Sequence, residues 1–308
     1  MRNMEKNKNK EVKLKPEKNK EIKKRFNIYT YFIIVLAATL LVVLGFFIRN
    51  YRIQRNAQKE YEELAAKVNQ LQNRTDNSNQ TVTERVTQTD NTESTEVNKP
   101  AEAVEDTKAG VNIPEKNLDW DEMRKLNPDI YAWICIPGTD IDYPVLQHPT
   151  DDSYYLDYNM NGTRGYPGCI YTEQLNSKEF TDFDTVIYGH NMRNASMFAD
   201  LHDYEVSTFF ENNPYVFIYT GSRVLVYEIF AAYKGDDAHI LYMNDFSTKA
   251  GRQEYIDSIL DNRDDEANIR TNVPVAVDSH LITLSTCVKG ENDRRFLVQA
   301  VLLNEDDL

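Results

Sequence analysis

A thiol, an imidazole and a guanidinium in this chain occupy positions from which they could share acyl-transfer chemistry. Cys287 closes the run LITLSTC, the polar turn VKGENDR follows, and Arg295 opens the apolar run RFLVQAVLL eight residues later. Side chains alternate along a strand, so Thr283, Ser285 and Cys287 share one face while Leu284 and Thr286 share the other. An antiparallel return would carry the Arg295 guanidinium back to the thiol. Arg294 competes for that role, and alternation lets only one of the two face the site. His190 ends a further run, TVIYGH, in which Gly189 permits close backbone approach and Asn191 and Met192 open the next loop. A thiolate attacks a carbonyl, an imidazole moves the protons, and a guanidinium, charged at every relevant pH, stabilises the oxyanion. Each group also has a bland reading on its own: free cysteine is among the most buried residue types, and an isolated histidine is more often structural. His148, His202, His239 and His280 have no comparable strand-end setting.

Bringing such groups together requires many strands whose ends meet. From about residue 112 the chain becomes aromatic-rich, with strand-like runs at Tyr131 to Ile136, Tyr143 to Gln147, Cys169 to Thr172, Thr185 to Tyr188, Tyr215 to Tyr219, Arg223 to Tyr233, His280 to Thr286 and Phe296 to Leu303. A short helix is expected over Leu118 to Leu126, ended by the Asn127–Pro128 pair, with others over Met197 to Phe210 and Ser247 to Asp261. The last places Tyr255, Ile256, Ile259 and Leu260 on one side. Many strands with few inserted helices predict a mostly β, closed barrel of about eight strands rather than an alternating parallel α/β fold. There is no internal repeat.

The remaining 111 residues read differently. The whole chain has 35 Lys plus Arg against 49 Asp plus Glu in 308 residues, a net charge of −14, but residues 1–25 alone carry 11 basic and 4 acidic groups, or +7. Next comes Ile28 to Ile48, 21 residues without a charge, long enough to cross a hydrocarbon core of roughly 30 Å as a helix. Phe46, Phe47 and Ile48 run straight into Arg49 with no small-residue cleavage site, which predicts an uncleaved anchor. The basic segment 1–27 then faces the cytoplasm, and about 260 residues lie outside. Over 49–73, Ile53, Ala57, Tyr61, Leu64, Val68 and Leu71 recur at helical spacing, predicting an amphipathic stalk. Residues 74–111 lack aromatics and are rich in Thr, Asn, Asp and Glu, the composition of a disordered linker. The acidic balance argues against general nucleic-acid binding. No Cys/His ligand spacing suggests a metal, and acidic pairs such as Asp236–Asp237, or the run Asp264 to Glu266, read as solvated loops.

TLSTC at Thr283 to Cys287 with a trailing Arg, and YGHNM at Tyr188 to Met192 followed by Met197 and Phe198, together resemble the sortases, and class B in particular. WICIPGTDIDYPVLQ from Trp133, YYL at Tyr154 to Leu156, GCIYTE from Gly168 and YEIFAAY from Tyr227 follow in the family's order, so the likeness covers essentially residues 117–305. It implies a membrane-anchored cysteine transpeptidase without cofactor in domain 112–308, with Cys287 as nucleophile, His190 as acid/base and Arg295, which fits the family's register better than Arg294, as oxyanion partner. Tyr188, Ser285 and Leu156 become candidates for contact with the sorting signal. Implied partners are surface proteins bearing an LPxTG- or NPxTN-like signal and a peptidoglycan amine. A pilin-polymerising enzyme with a Lys acceptor and a non-enzymatic tethered binding protein are the alternatives; a papain-like protease is disfavoured because its Cys precedes its His. Some class B members carry an acid two residues after the nucleophile, where this chain has Lys289. Cys135 and Cys169 match no catalytic position and read as core thiols, with a bond between them left open.

Overall fold

The computed structural model describes residues 16–86, 110–262 and 266–304, and within the first stretch the side chains of 28–68. The chain divides into two compact units, one ending at Arg52 and one starting at Ile53. The first holds the start of helix α1 (Pro16–Val86), including the stretch from Ile28 that is long and apolar enough to cross a membrane, with side chains such as Leu36, Leu40 and Phe47 uncovered. Residues 87–109, most of the expected linker, lie outside the described residues, and α1 extends through 74–86.

Among the described residues, the second unit is built on nine strands. These are β1 (Ile130–Cys135), β2 (Asp142–Leu146), β3 (Ile170–Tyr171), β4 (Asp184–Tyr188), β5 (Tyr215–Tyr219), β6 (Val224–Asp236), β7 (Asn268–Ile269), β8 (Leu281–Val288) and β9 (Glu291–Leu302). Eight of them pair in the order β5-β1-β2-β3-β4-β8-β9-β6, and β6 pairs back onto β5, closing the predicted barrel; β7 is a short addition to β6 outside that ring. The β2–β3 and β4–β8 pairs are parallel. Bulky side chains fill the interior: Trp133, Phe217, Tyr227 and Phe296 are at most 1% exposed. Area removed from water on this scale is the main term favouring the fold.

Helices close the gaps between strands. In α2 (Trp120–Leu126), the Asp119 side chain accepts from Glu122 N at 3.0 Å, capping the first turn. In α6 (Lys249–Leu260), Thr248 caps Gly251 N at 3.1 Å, and Tyr255, Ile256 and Ile259 are buried in a second cluster with Phe183, Phe230 and Leu281. The helix expected over 197–210 is instead two: a 3-10 helix over Ala199–Glu205 and α4 (Ser207–Asn212), separated by Val206 in extended backbone. Two short helices had no periodic signal, α3 (Tyr154–Asp157) and α5 (Ile240–Met243).

The stripe expected of a stalk is covered. Ala57, Tyr61, Leu64 and Val68 are all buried, and the last three join the barrel's own core cluster. Tyr61 Oη donates to Gly168 O at 2.9 Å and lies 3.1 Å from Cys169 Sγ, while Asn161 Nδ2 donates to Glu60 at 2.8 Å. An apolar helical face is stable only against another surface, and here that surface includes the loop between α3 and β3 and Tyr143 of β2, whose ring meets that of Tyr61 edge-on at 5.8 Å.

Candidate active site

β4 and β8 run parallel with Tyr188 opposite Ser285. Two residues beyond that pair, at the same end of the two strands, His190 lies just past β4 and Cys287 is the penultimate residue of β8. The strand ends are tied just before them: Gly189 N donates to Ser285 O at 3.1 Å, and Thr286 Oγ1 donates to Gly189 O at 2.7 Å. No side chain fits at Gly189, where a Cβ would lie 2.5 Å from Ile170 Cδ1 and 2.7 Å from the Phe198 ring. Every residue of β8 before Cys287 is buried, and Cys287 itself is exposed.

The hairpin from β8 into β9 turns at Lys289 and Gly290, the glycine at φ 85°. β9 therefore starts at Glu291, earlier than the sequence suggested, because the exposed residues Glu291 to Asp293 show no apolar alternation although they belong to the strand. Its register makes Arg295 the direct Cα partner of Cys287, which puts both side chains on one face. Arg295 Nη1 donates to Asn292 O at 3.0 Å and Arg294 O at 2.9 Å. Arg294 pairs with Asp236 on β6 and its Nη2 donates to Lys234 O at 3.2 Å.

The His190 Nε2 lies 2.8 Å from Leu156 O. A carbonyl only accepts, so in this arrangement Nε2 carries the proton. The Tyr166 ring meets the imidazole edge-on with centroids 5.0 Å apart, and Gly168 backs it so closely that a Cβ there would lie 3.3 Å from His190 Cδ2. Leu156 thus touches the histidine through its backbone, and its side chain is exposed. Tyr188, half-buried, stacks on Tyr171 at 5.4 Å; Ser285 is buried, its carbonyl used by Gly189. Burial pushes the Tyr171 phenol up, Glu173 and Cys287 add to this, and Arg295 opposes it, so one ring senses both the thiol and the guanidinium.

Sequence reasoning missed two contacts. The Cys287 carbonyl accepts from Asn191 Nδ2 at 3.0 Å, and His202 Nε2 stands 3.1 Å from the same oxygen. Asn191 read only as a loop opener, and His202 sits in a 3-10 helix 85 residues from its partner, where no spacing marks it. Cys135 and Cys169 are free and buried, which settles the pairing left open. Burial pushes their thiols up to about 11 and about 12. Among the described residues no group of three or more His, Cys, Asp or Glu is placed to hold a metal ion.

Residues 134–303 match the sortase domain as a family. The chain belongs to the sortase family. It is 33% identical to sortase B of Listeria monocytogenes over 186 residues, covering 60% of this chain and 74% of that protein, and 29% identical to sortase B of Staphylococcus aureus over 187 residues with the same shares. Among solved structures, sortase B of Clostridium perfringens aligns with a TM-score of 0.53 and 29% identity over 60% of this chain and 99% of that one. This sortase is therefore a cysteine transpeptidase of the B type, with the closed barrel of its relatives.

Proposed function

We propose that this sortase cleaves an LPxTG- or NPxTN-like sorting signal after its Thr and joins the new carboxyl end to a peptidoglycan amine. The observation that carries this reading is the strand register: Cys287, near the end of β8, stands opposite Arg295 on β9, and His190 lies just past the end of β4, the parallel neighbour of β8. The Cys287 thiolate attacks the scissile carbonyl carbon, and the Arg295 guanidinium donates to the oxyanion that forms. As the C–N bond breaks, His190 as imidazolium gives one proton to the leaving amine, leaving a neutral imidazole and a thioacyl enzyme. An incoming amine attacks that carbonyl and passes a proton to His190; the C–S bond breaks and the thiolate returns. Tyr188, Ser285 and Leu156, around the same strand ends, line the path of the signal peptide.

The domain plan that suits this reaction is a basic cytoplasmic segment over 1–27, a membrane anchor over 28–48, a helical stalk over 49–73 whose apolar stripe packs on the barrel, a linker over 74–111 whose first part, to 86, continues α1, and the catalytic domain over 112–308. The N-terminus is cytoplasmic and the barrel faces the wall. The basic flank before an uncovered apolar helix supports this topology. Full-length protein in detergent micelles, offered a panel of fluorogenic sorting peptides, tests the reaction. Cleavage that disappears in Cys287→Ala is the expected result, and retained cleavage by that variant refutes it.

A further inference from the structure

We propose that His202, held by Glu205, is a positioning residue for the nucleophile: it fixes the backbone of Cys287 and, as a cation, favours the thiolate. This rests on Cys287 being the attacking group. His202 Nε2 lies 3.1 Å from Cys287 O, and its Nδ1 lies 2.7 Å from Glu205 Oε1. A carbonyl and a carboxylate both only accept, so both contacts are hydrogen bonds at once only when the ring carries two protons. The ring stacks on Phe296, centroids 4.9 Å apart, and Phe296 is a fully buried residue of β9 paired with Thr286, so the nucleophile's own hairpin orients the imidazole.

The contact falls where the sheet gives least support. The β8–β9 register shifts between Cys287 and Val288, so the regular ladder is interrupted immediately after the nucleophile. Side chains take over there: Asn191, next to His190, and His202 on the following helix converge on the same carbonyl oxygen. Movement of that carbonyl would swing the thiol, and a 1 Å displacement at a reacting group can cost a hundredfold in rate. The charged and titratable groups at the ring are Asp203 and Glu205 on its own helix, with Asp200 beside Asp203, and Cys287 through its carbonyl; Lys234 of β6, paired with Glu266 at 2.7 Å and Glu291 at 3.7 Å, acts on Glu205 in turn.

The test follows Cys287 directly, by the rate of its alkylation with iodoacetamide as a function of pH, read by peptide mass spectrometry on the full chain in detergent. His202→Gln keeps an amide donor but removes the charge, and Glu205→Gln leaves the ring but removes its anionic partner. In His202→Gln the rate profile is expected to move to higher pH, with alkylation about threefold slower on the acid limb, and Glu205→Gln to lie between it and the parent. For peptide cleavage, kcat falls while KM stays within about twofold. Profiles that superimpose on the parent in both variants, whatever happens to Tm, overturn the proposal. If His202→Gln fails to fold, Glu205→Gln alone decides on the same criterion. A parent enzyme that cleaves no sorting peptide sinks the proposed reaction, while the alkylation profiles still report on His202.

Discussion

Cys287 and Arg295 are direct partners across the β8–β9 hairpin, whereas Arg294, one residue earlier, partners Asp236 and ties its guanidinium to the Lys234 carbonyl. The two arginines should therefore fail differently. Arg295→Ala is expected to lower kcat/KM for peptide cleavage by about 10²–10³, the usual loss of one oxyanion donor. Arg295→Lys restores charge but not the planar fork and should recover only part of it. Arg294→Ala should stay within a few-fold of the parent in kcat/KM and show its loss in Tm. Equal kinetic losses in the two alanine variants would remove the distinction.

Three free thiols in one chain give a second check. Cys287 is exposed, while Cys135 and Cys169 are buried and burial raises both thiols, so each is almost wholly protonated at neutral pH. A maleimide at neutral pH should label Cys287 alone in the native protein and all three after unfolding, as read by peptide mass spectrometry. Labelling of Cys169 in the native state would mean that the Tyr61 contact over it opens readily.

The hairpin was legible because alternation in LITLSTC and the short distance to Arg295 leave few ways to fold that stretch, but alternation alone left Arg294 and Arg295 open, and the resemblance, not the pattern, favoured the partner that the register has. The parallel neighbour β4 was legible only as a strand; that Tyr188 meets Ser285 depends on a long crossover that no local pattern encodes. The stripe Ala57, Tyr61, Leu64 and Val68 announced a helix face but not what covers it, since periodicity is blind to the partner surface. The contacts of Asn191 and His202 with the Cys287 carbonyl were invisible for the same reason: both go to a backbone oxygen, which has no residue type to read.

The loop between α3 and β3 links the stripe on α1 to the histidine. Tyr61 holds Gly168 O, and Gly168, at φ 68°, lies against Tyr155 O, Leu156 O and the His190 ring. Gly168→Ala forces a Cβ to 2.7 Å from Tyr155 O and 3.0 Å from Leu156 O, in a backbone conformation that L side chains rarely adopt. The carbonyl that accepts from His190 is displaced, so kcat should fall at least tenfold with a smaller change in KM. Tyr61→Phe, which loses only the hydroxyl, should cost about 1 kcal/mol of stability, and Tyr61→Ala about 3–5 kcal/mol. Chemical denaturation and steady-state kinetics on the same samples separate the two effects. Unchanged kcat in Gly168→Ala would show that the loop yields without moving the imidazole.

Beneath the active strand lies a buried acid whose titration should govern stability. Asp184 accepts from Thr283 Oγ1 at 2.9 and 3.0 Å and from Tyr255 Oη at 3.0 Å, and Gln299 Nε2 donates to both of those hydroxyls. Burial nevertheless outweighs these donors and pushes the carboxyl up from 3.8 to about 6. A carboxyl with its folded pKa above its unfolded one binds its proton more tightly in the fold. Its contribution is thus fully present below pH 3.8 and lost as pH rises through about 6, a change of about 3 kcal/mol. Asp184→Asn, which cannot ionise, should flatten that part of the stability-versus-pH curve measured by urea unfolding. The variant's midpoint should gain on the parent's between those two pH values. A parent curve that rises across this interval while the variant's stays flat would mean that the hydrogen bonds from Thr283 and Tyr255 outweigh burial and hold the carboxylate ionised.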